Sequence, residues 1–180
     1  MSATDQDEHG RPAPPATADE VATIDGYVEF LRATLEWKTA GLTDEQLRAR
    51  LAPSDLTLGG MLHHLAYVED YWFGVVLAGR APAPPWDTVD WAADGDWDWH
   101  AAADLDGATI RARWGEAVTR SRAVLAELLT GDDPLAATGR TARGTAVSLR
   151  YVLVHLVEEY ARHAGHADLI RESIDGLVGE

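Results

Sequence analysis

Glu159 and His163 stand four residues apart in the run Glu158-Glu159-Tyr160-Ala161-Arg162-His163-Ala164-Gly165-His166-Ala167-Asp168. On a helix such a pair shares one face, its Cβ atoms about 5–6 Å apart, so carboxylate and imidazole can converge on one cation with little strain. The remaining donor must come from another helix, and His64 in Met61-Leu62-His63-His64-Leu65-Ala66 is the best placed. Three protein ligands leave a coordination position free for water or substrate, whereas structural zinc sites use four. Zinc suits this His-Glu-His set, and nickel, iron and manganese are compatible with the same donors.

Other side chains compete for a role. His155, four residues before Glu159, reads as a core residue or a support to the ligands. His166, with Asp168, could orient a ligand or touch a bound cofactor, because metal-bound imidazoles usually donate their second N–H. His63 projects about 100° from His64, so only one of the two can face the site. Tyr67 and Tyr71 follow His64 at i+3 and i+7 and could donate hydrogen bonds to a cofactor at the pocket wall; filling the core is the alternative use of both rings. Packed core histidines are commoner than ligands on apolar helices, so spacing alone leaves the structural alternative standing.

Four helices must position these groups. Val21, Ile24, Tyr27, Val28, Leu31 and Leu35 recur at helical spacing and predict helix one over residues 18–40. Thr43 with Gln46 has the form of a capping box and opens a short turn that Pro53 closes. Helix two is predicted over residues 57–78 behind Thr57, helix three over 105–130, and helix four from the Ser148 cap to about residue 174 before Gly176. Gly74 and Gly165 fall inside helices at about 1 kcal/mol each relative to Ala, which a close helix crossing or a nearby ligand would explain. Residues 1–17 carry three prolines and few large apolar side chains, and are expected to form a disordered tail ahead of one domain over 18–176.

No strand is evident, and the fold class expected is all-α, a four-helix bundle. Some 24 residues between helices two and three can span its length, which favours an up-down-down-up order. That crossover contains Trp86, Trp91, Trp97 and Trp99 among five aspartates. A loop pinned by its aromatic rings is favoured over a mobile lid. Asp94, Asp96 and Asp98 begin like a calcium loop, but Trp99 and Leu105 stand where glycine and glutamate are needed.

A formal net charge of -15 argues against nucleic acid and anionic membrane surfaces as partners, since both demand clustered cations. Arg111, Arg113, Arg120 and Arg122 are expected on the outer face of helix three. No apolar run approaches the roughly 18 residues of a membrane span, and residues 1–17 lack the apolar core of a signal peptide, so a cytoplasmic location is the default expectation. The chain has no cysteine, so any thiol chemistry requires a small molecule to bring the sulfur. Exposed apolar helix faces could support a homodimer.

The segment His64-Leu65-Ala66-Tyr67-Val68-Glu69 with Tyr71-Trp72-Phe73, and the run from Ser148-Leu149-Arg150 through His155 to Asp168, resemble the DinB-like superfamily of metal-binding four-helix bundles. The likeness covers about residues 18–176 and is greatest to the mycothiol-dependent, maleylpyruvate isomerase-like branch. Many members ligate metal with one histidine of helix two and a His-x-x-x-His pair of helix four. Glu159 replaces the first histidine of that pair, as in the subgroup whose set is His, Glu, His. The resemblance thus implies His64, Glu159 and His163 as ligands, a divalent metal, mycothiol as cosubstrate, and transfer of the thiol to a small electrophile or a thiol-assisted isomerisation. A non-catalytic, stress-associated metal-binding bundle and a metal-assisted hydrolase are the alternatives.

Overall fold

The computed structural model describes residues 6–179. Its first long helix, α1 (Glu20–Thr39), starts where the Asp19 carboxylate accepts the Ala22 N–H. The short α2 (Asp44–Leu47) carries the expected capping box, with Thr43 and Gln46 each satisfying the other's backbone N–H. Thr57 caps α3 (Leu58–Glu69), which continues without a break into a π-helical stretch, Asp70–Leu77. The crossover is not structureless: it holds a 3-10 turn (Trp86–Thr88), the single turn α4 (Trp97–His100) and a second 3-10 turn (Ala101–Asp104). Asp106 then caps α5 (Gly107–Leu128). Ser148 caps α6 (Leu149–Asp175), which ends at Gly176 in the left-handed conformation, φ 79°.

Two expectations are corrected. The link before α6 contains a two-stranded antiparallel hairpin, β1 (Thr138–Arg140) against β2 (Ala146–Ser148), with Thr138 opposite Ser148. Its seat on the π-helical stretch depends on Gly139, where an added Cβ would stand 2.0 Å from the Val76 carbonyl oxygen. The part of the expected tail within the described residues, 6–17, lies against α1: Arg11 is buried, its guanidinium over the Phe30 and Trp37 rings and bonded to Thr34 Oγ1 at 3.1 Å. Prolines and polar residues gave no apolar signal there, yet one arginine stem and two aromatic faces suffice for a contact. Residues 1–5 of that tail lie outside the described residues.

Packing is mainly α1 on α6 and α3 on α5. Arg150 meets Glu20 and Asp168 meets Lys38, so α1 and α6 run in the same direction. Arg113 meets His63 and Arg120 meets Asp70, so α3 and α5 also run together. Across the centre Tyr160 reaches Glu69 while His163 faces His64, which sets α6 opposite to α3. Leu62, Leu65, Phe73, Leu153, Leu156 and Tyr160 are buried between them. Each large apolar side chain taken from water contributes roughly 1.5–3 kcal/mol. Tyr27, expected inward, is instead 50% exposed on α1.

Candidate functional site

Because α3 and α6 run oppositely, a histidine early in α3 meets residues from the middle of α6. His64 Nε2 lies 3.8 Å from Glu159 Oε2, and His163 Nε2 lies 3.6 Å from the same oxygen. One donor atom from each of these three residues falls within 4.8 Å of the others. Donors held about 2.0–2.2 Å from a zinc ion stand roughly 3.4 Å apart in a tetrahedron, so a small contraction would suffice to bind.

The surroundings orient the set. His64 Nδ1 is 2.5 Å from Asp98 Oδ2, which makes this nitrogen the N–H donor and leaves Nε2 free to ligate. Trp99 stacks on the His64 ring with centroids 4.4 Å apart. Asp98 is itself gripped by its main chain. His63 Nδ1 donates to the Asp98 carbonyl at 2.5 Å, a tautomer fixed because Arg113 can only donate to His63 Nε2, at 2.6 Å. Two adjacent histidines therefore hold one aspartate, His63 by its backbone and His64 by its carboxylate. Carboxylate support of a metal-binding imidazole fixes the ring and raises its basicity.

Electrostatics agree with that division. Burial, reinforced by the Arg113 guanidinium, depresses His63 below the ordinary histidine range and keeps it neutral. Burial also opposes a charge on His64, but the Asp98 hydrogen bond and the Glu159 contact outweigh it and raise the imidazole. Contact with His163, then with His64, holds the Glu159 carboxyl far below the usual carboxylate range. A pocket whose carboxylates stabilise a proton on an imidazole stabilises any small cation in the same place.

His155 Nε2 lies 3.4 Å from Glu159 Oε1, so the outer oxygen of that carboxylate faces a side chain expected to support the ligands. His166 does not join the donor set; its ring centroid is 5.6 Å from that of His163, and its Nδ1, like His163 Nδ1, is buried without a protein partner among the described residues. Tyr67 and Tyr71 line a separate cavity against Trp86 and Trp91. All four helix-three arginines reach neighbouring elements rather than a free outer face: Arg111 donates to the Thr39 and Leu42 carbonyls, Arg113 to His63, Arg120 to Asp70 and Arg122 to Glu29. Asp98 is the residue that sequence reasoning missed. Its signal was an acidic residue flanked by two tryptophans, set aside when the calcium spacing failed.

A family model described as Mycothiol-S-transferase matches residues 23–176. The chain belongs to the Mycothiol-S-transferase family. Its matched span contains α3, α6 and the crossover that delivers Asp98, so the whole candidate site lies within the part shared with other Mycothiol-S-transferase members. This bears out the mycothiol-related family expected from the helix-two and helix-four motifs, and with it thiol-dependent transfer as the family's chemistry. A search among curated proteins found no match. Among the described residues no helix is long and apolar enough to cross a membrane.

Proposed function

We propose that this chain is a metal-dependent transferase that joins mycothiol to a small electrophile, with His64, Glu159 and His163 holding a divalent metal, zinc by preference. The four long helices are read as an up-down-down-up bundle that brings the ligands of α3 and α6 together near the crossover. The observation that carries the proposal is the convergence of two imidazole nitrogens and one carboxylate oxygen, with the second nitrogen of His64 already bonded to buried Asp98.

Held by His64, Glu159 and His163, a divalent ion would keep a net charge of +1 and would supply attraction for an anion such as a thiolate, lowering the pKa of an incoming thiol. The protein's part is to keep Glu159 ionised, hold His64 with Nε2 inward, and exclude water with the Trp99 ring. Transfer forms a bond from the thiol sulfur to the electrophilic carbon as the bond from that carbon to its leaving group breaks; the leaving group departs with the electron pair, and the thiol proton passes to solvent. Placing both reactants side by side supplies the proximity that a bimolecular reaction lacks.

Elemental analysis of tag-free wild type beside Glu159→Ala tests the site. About one metal per wild-type chain, lost in the variant, is the expected result, followed by mycothiol-dependent consumption of an electrophile. Metal-free wild type that refuses added zinc and nickel would sink the proposal. Metal without thiol-dependent turnover would leave a binding protein, and hydrolysis in the absence of thiol would point to water as the nucleophile.

A further inference from the structure

Beyond the metal donors, a cavity of about 260 Å³ opens between the π-helical stretch, the start of the crossover and α5. Its walls include Tyr67, Tyr71, Trp86, Trp91, Val75 and Val124. A void of roughly 150 Å³ accepts benzene, so this one has room for one or two fused rings with a short substituent. The charged groups of the wall are mostly spent on one another. Asp70 accepts from Trp86 Nε1 at 2.8 Å and from Arg120 at 2.9 and 3.0 Å, an arrangement that fixes Trp86 in place. Glu69 is fully buried and closed by Arg32 and Tyr160.

Arg80 is the exception. It is exposed at the rim, and its side chain makes no ion pair or hydrogen bond among the described residues, although its backbone N–H donates to the Gly74 carbonyl at 3.0 Å. In a chain of net charge -15 an uncompensated guanidinium beside aromatic faces selects an anionic group on an otherwise apolar molecule. The Tyr67 hydroxyl, pushed up to about 12 by burial with Tyr71 and Asp98 nearby, stays a neutral donor and makes no hydrogen bond to protein among the described residues, while its ring lies against Trp86 and Trp91. Gly74 also lines the cavity, and a Cβ there would meet nothing within 4 Å. No close helix crossing requires this glycine, and its missing side chain keeps the space open. At Gly165 nothing lies within 4 Å either, and no neighbour accounts for that residue.

We infer that this cavity binds a compact aromatic carboxylate, ring between Tyr67, Trp86 and Trp91 and anion toward Arg80. Tyr67 lies about 60° around α3 from His64 and about one turn along it, so the cavity shares a helix with the candidate site although none of the three donors lines its wall. Resting on the proposed transfer, the inference names its electrophile class as an aromatic acid. A polyhydroxylated thiol carrier has no match in these apolar walls.

Calorimetric titration of the full chain with 2-naphthoate and with neutral 2-naphthamide needs neither metal nor thiol, so its outcome is separable from that of the metal test. Both probes are expected to bind wild type and Glu159→Ala alike. Arg80→Ala should weaken 2-naphthoate about two- to fivefold and leave 2-naphthamide unchanged, the scale of an exposed ion pair. Gly74→Leu should abolish binding of both while circular dichroism and thermal unfolding stay those of wild type. Absence of binding to wild type, undiminished binding in a folded Gly74→Leu, or an equal effect of Arg80→Ala on both probes would overturn the inference. Loss of 2-naphthoate binding in Glu159→Ala would also overturn it, by placing the carboxylate on the metal.

Discussion

Two glutamates of the same core, Glu69 and Glu159, have opposite surroundings. Glu69 is closed: Arg32 donates to both its oxygens at 2.8 and 2.7 Å, Tyr160 donates at 2.6 Å, and Trp114 in turn donates to the Tyr160 hydroxyl at 2.9 Å. Glu159 is open: its side chain is 21% exposed, and its nearest partners are imidazole nitrogens at 3.4 to 3.8 Å. A carboxylate saturated by a guanidinium and a phenol has no capacity left for a ligand. One spaced from two inward imidazoles retains it. The comparison separates a saturated carboxylate from one with capacity for a ligand by the length and number of its contacts.

Replacing Glu69 should have the largest effect on the fold. Glu69→Gln would leave the buried Arg32 guanidinium with Glu29 as its remaining carboxylate, at the edge of the network, and breaking such a buried pair costs about 3–5 kcal/mol, read as a large fall in the urea midpoint or as failure to accumulate folded protein. Glu159→Gln should do the reverse, shifting the stability of metal-free protein by less than about 1 kcal/mol because its contacts are loose and partly solvated, while near-stoichiometric metal is lost. Equal destabilisation by the two variants would break the distinction.

Asp98→Asn sharpens it one step outward. The amide can still meet His64 but no longer supplies a negative charge, and a roughly 10- to 100-fold loss of metal affinity is expected, measured by competition with a chelator, with helical content unchanged. The smallest effect concerns Glu29, which links Arg32 to Arg122 at the edge of the buried network. Burial works to raise this carboxyl, but the Arg122 hydrogen bond and then the Arg32 charge lower it below the usual 4.5. A depressed folded value means stability fully present above about pH 4.5 and lost as pH falls through that lower value. The difference in unfolding free energy between wild type and Glu29→Gln, within about 1 kcal/mol at pH 7, should shrink on acidification below pH 4.5. A difference that grows instead would remove Glu29 from the network.

The helices were legible for local reasons. Asp19 and Thr57, Asp106 and Ser148 are short polar side chains ahead of apolar repeats, and each caps its helix. On the third long helix Ile110, Trp114, Ala117, Val118, Ser121, Val124, Leu125 and Leu128 recur at helical spacing and read as inward; the first seven are buried and Leu128 is partly so, because a period near 3.6 leaves one stripe to face the core. The π-helical stretch escaped notice, since its hydrophobic pattern differs little from that of an α-helix. The hairpin escaped because strands of three residues have no measurable alternation. Arg32 and Lys38 read as polar positions on the first helix, yet both are buried once Glu69 and the carbonyl of Val178 lie opposite them.

By itself the sequence determined which candidate donors share a helix: Glu159 and His163 must lie on one face, because helical geometry sets residues four apart side by side. It also determined that any thiol must arrive from outside, because the chain contains no cysteine. Tertiary structure alone decided that α3 opposes α6 at His64, that Asp98 crosses 34 residues of sequence to fix the imidazole, and that an aromatic cavity with Arg80 at its rim opens beside them. Spacing governs neighbours along one helix, whereas contacts between distant segments depend on how loops close and side chains pack, and no local pattern records that.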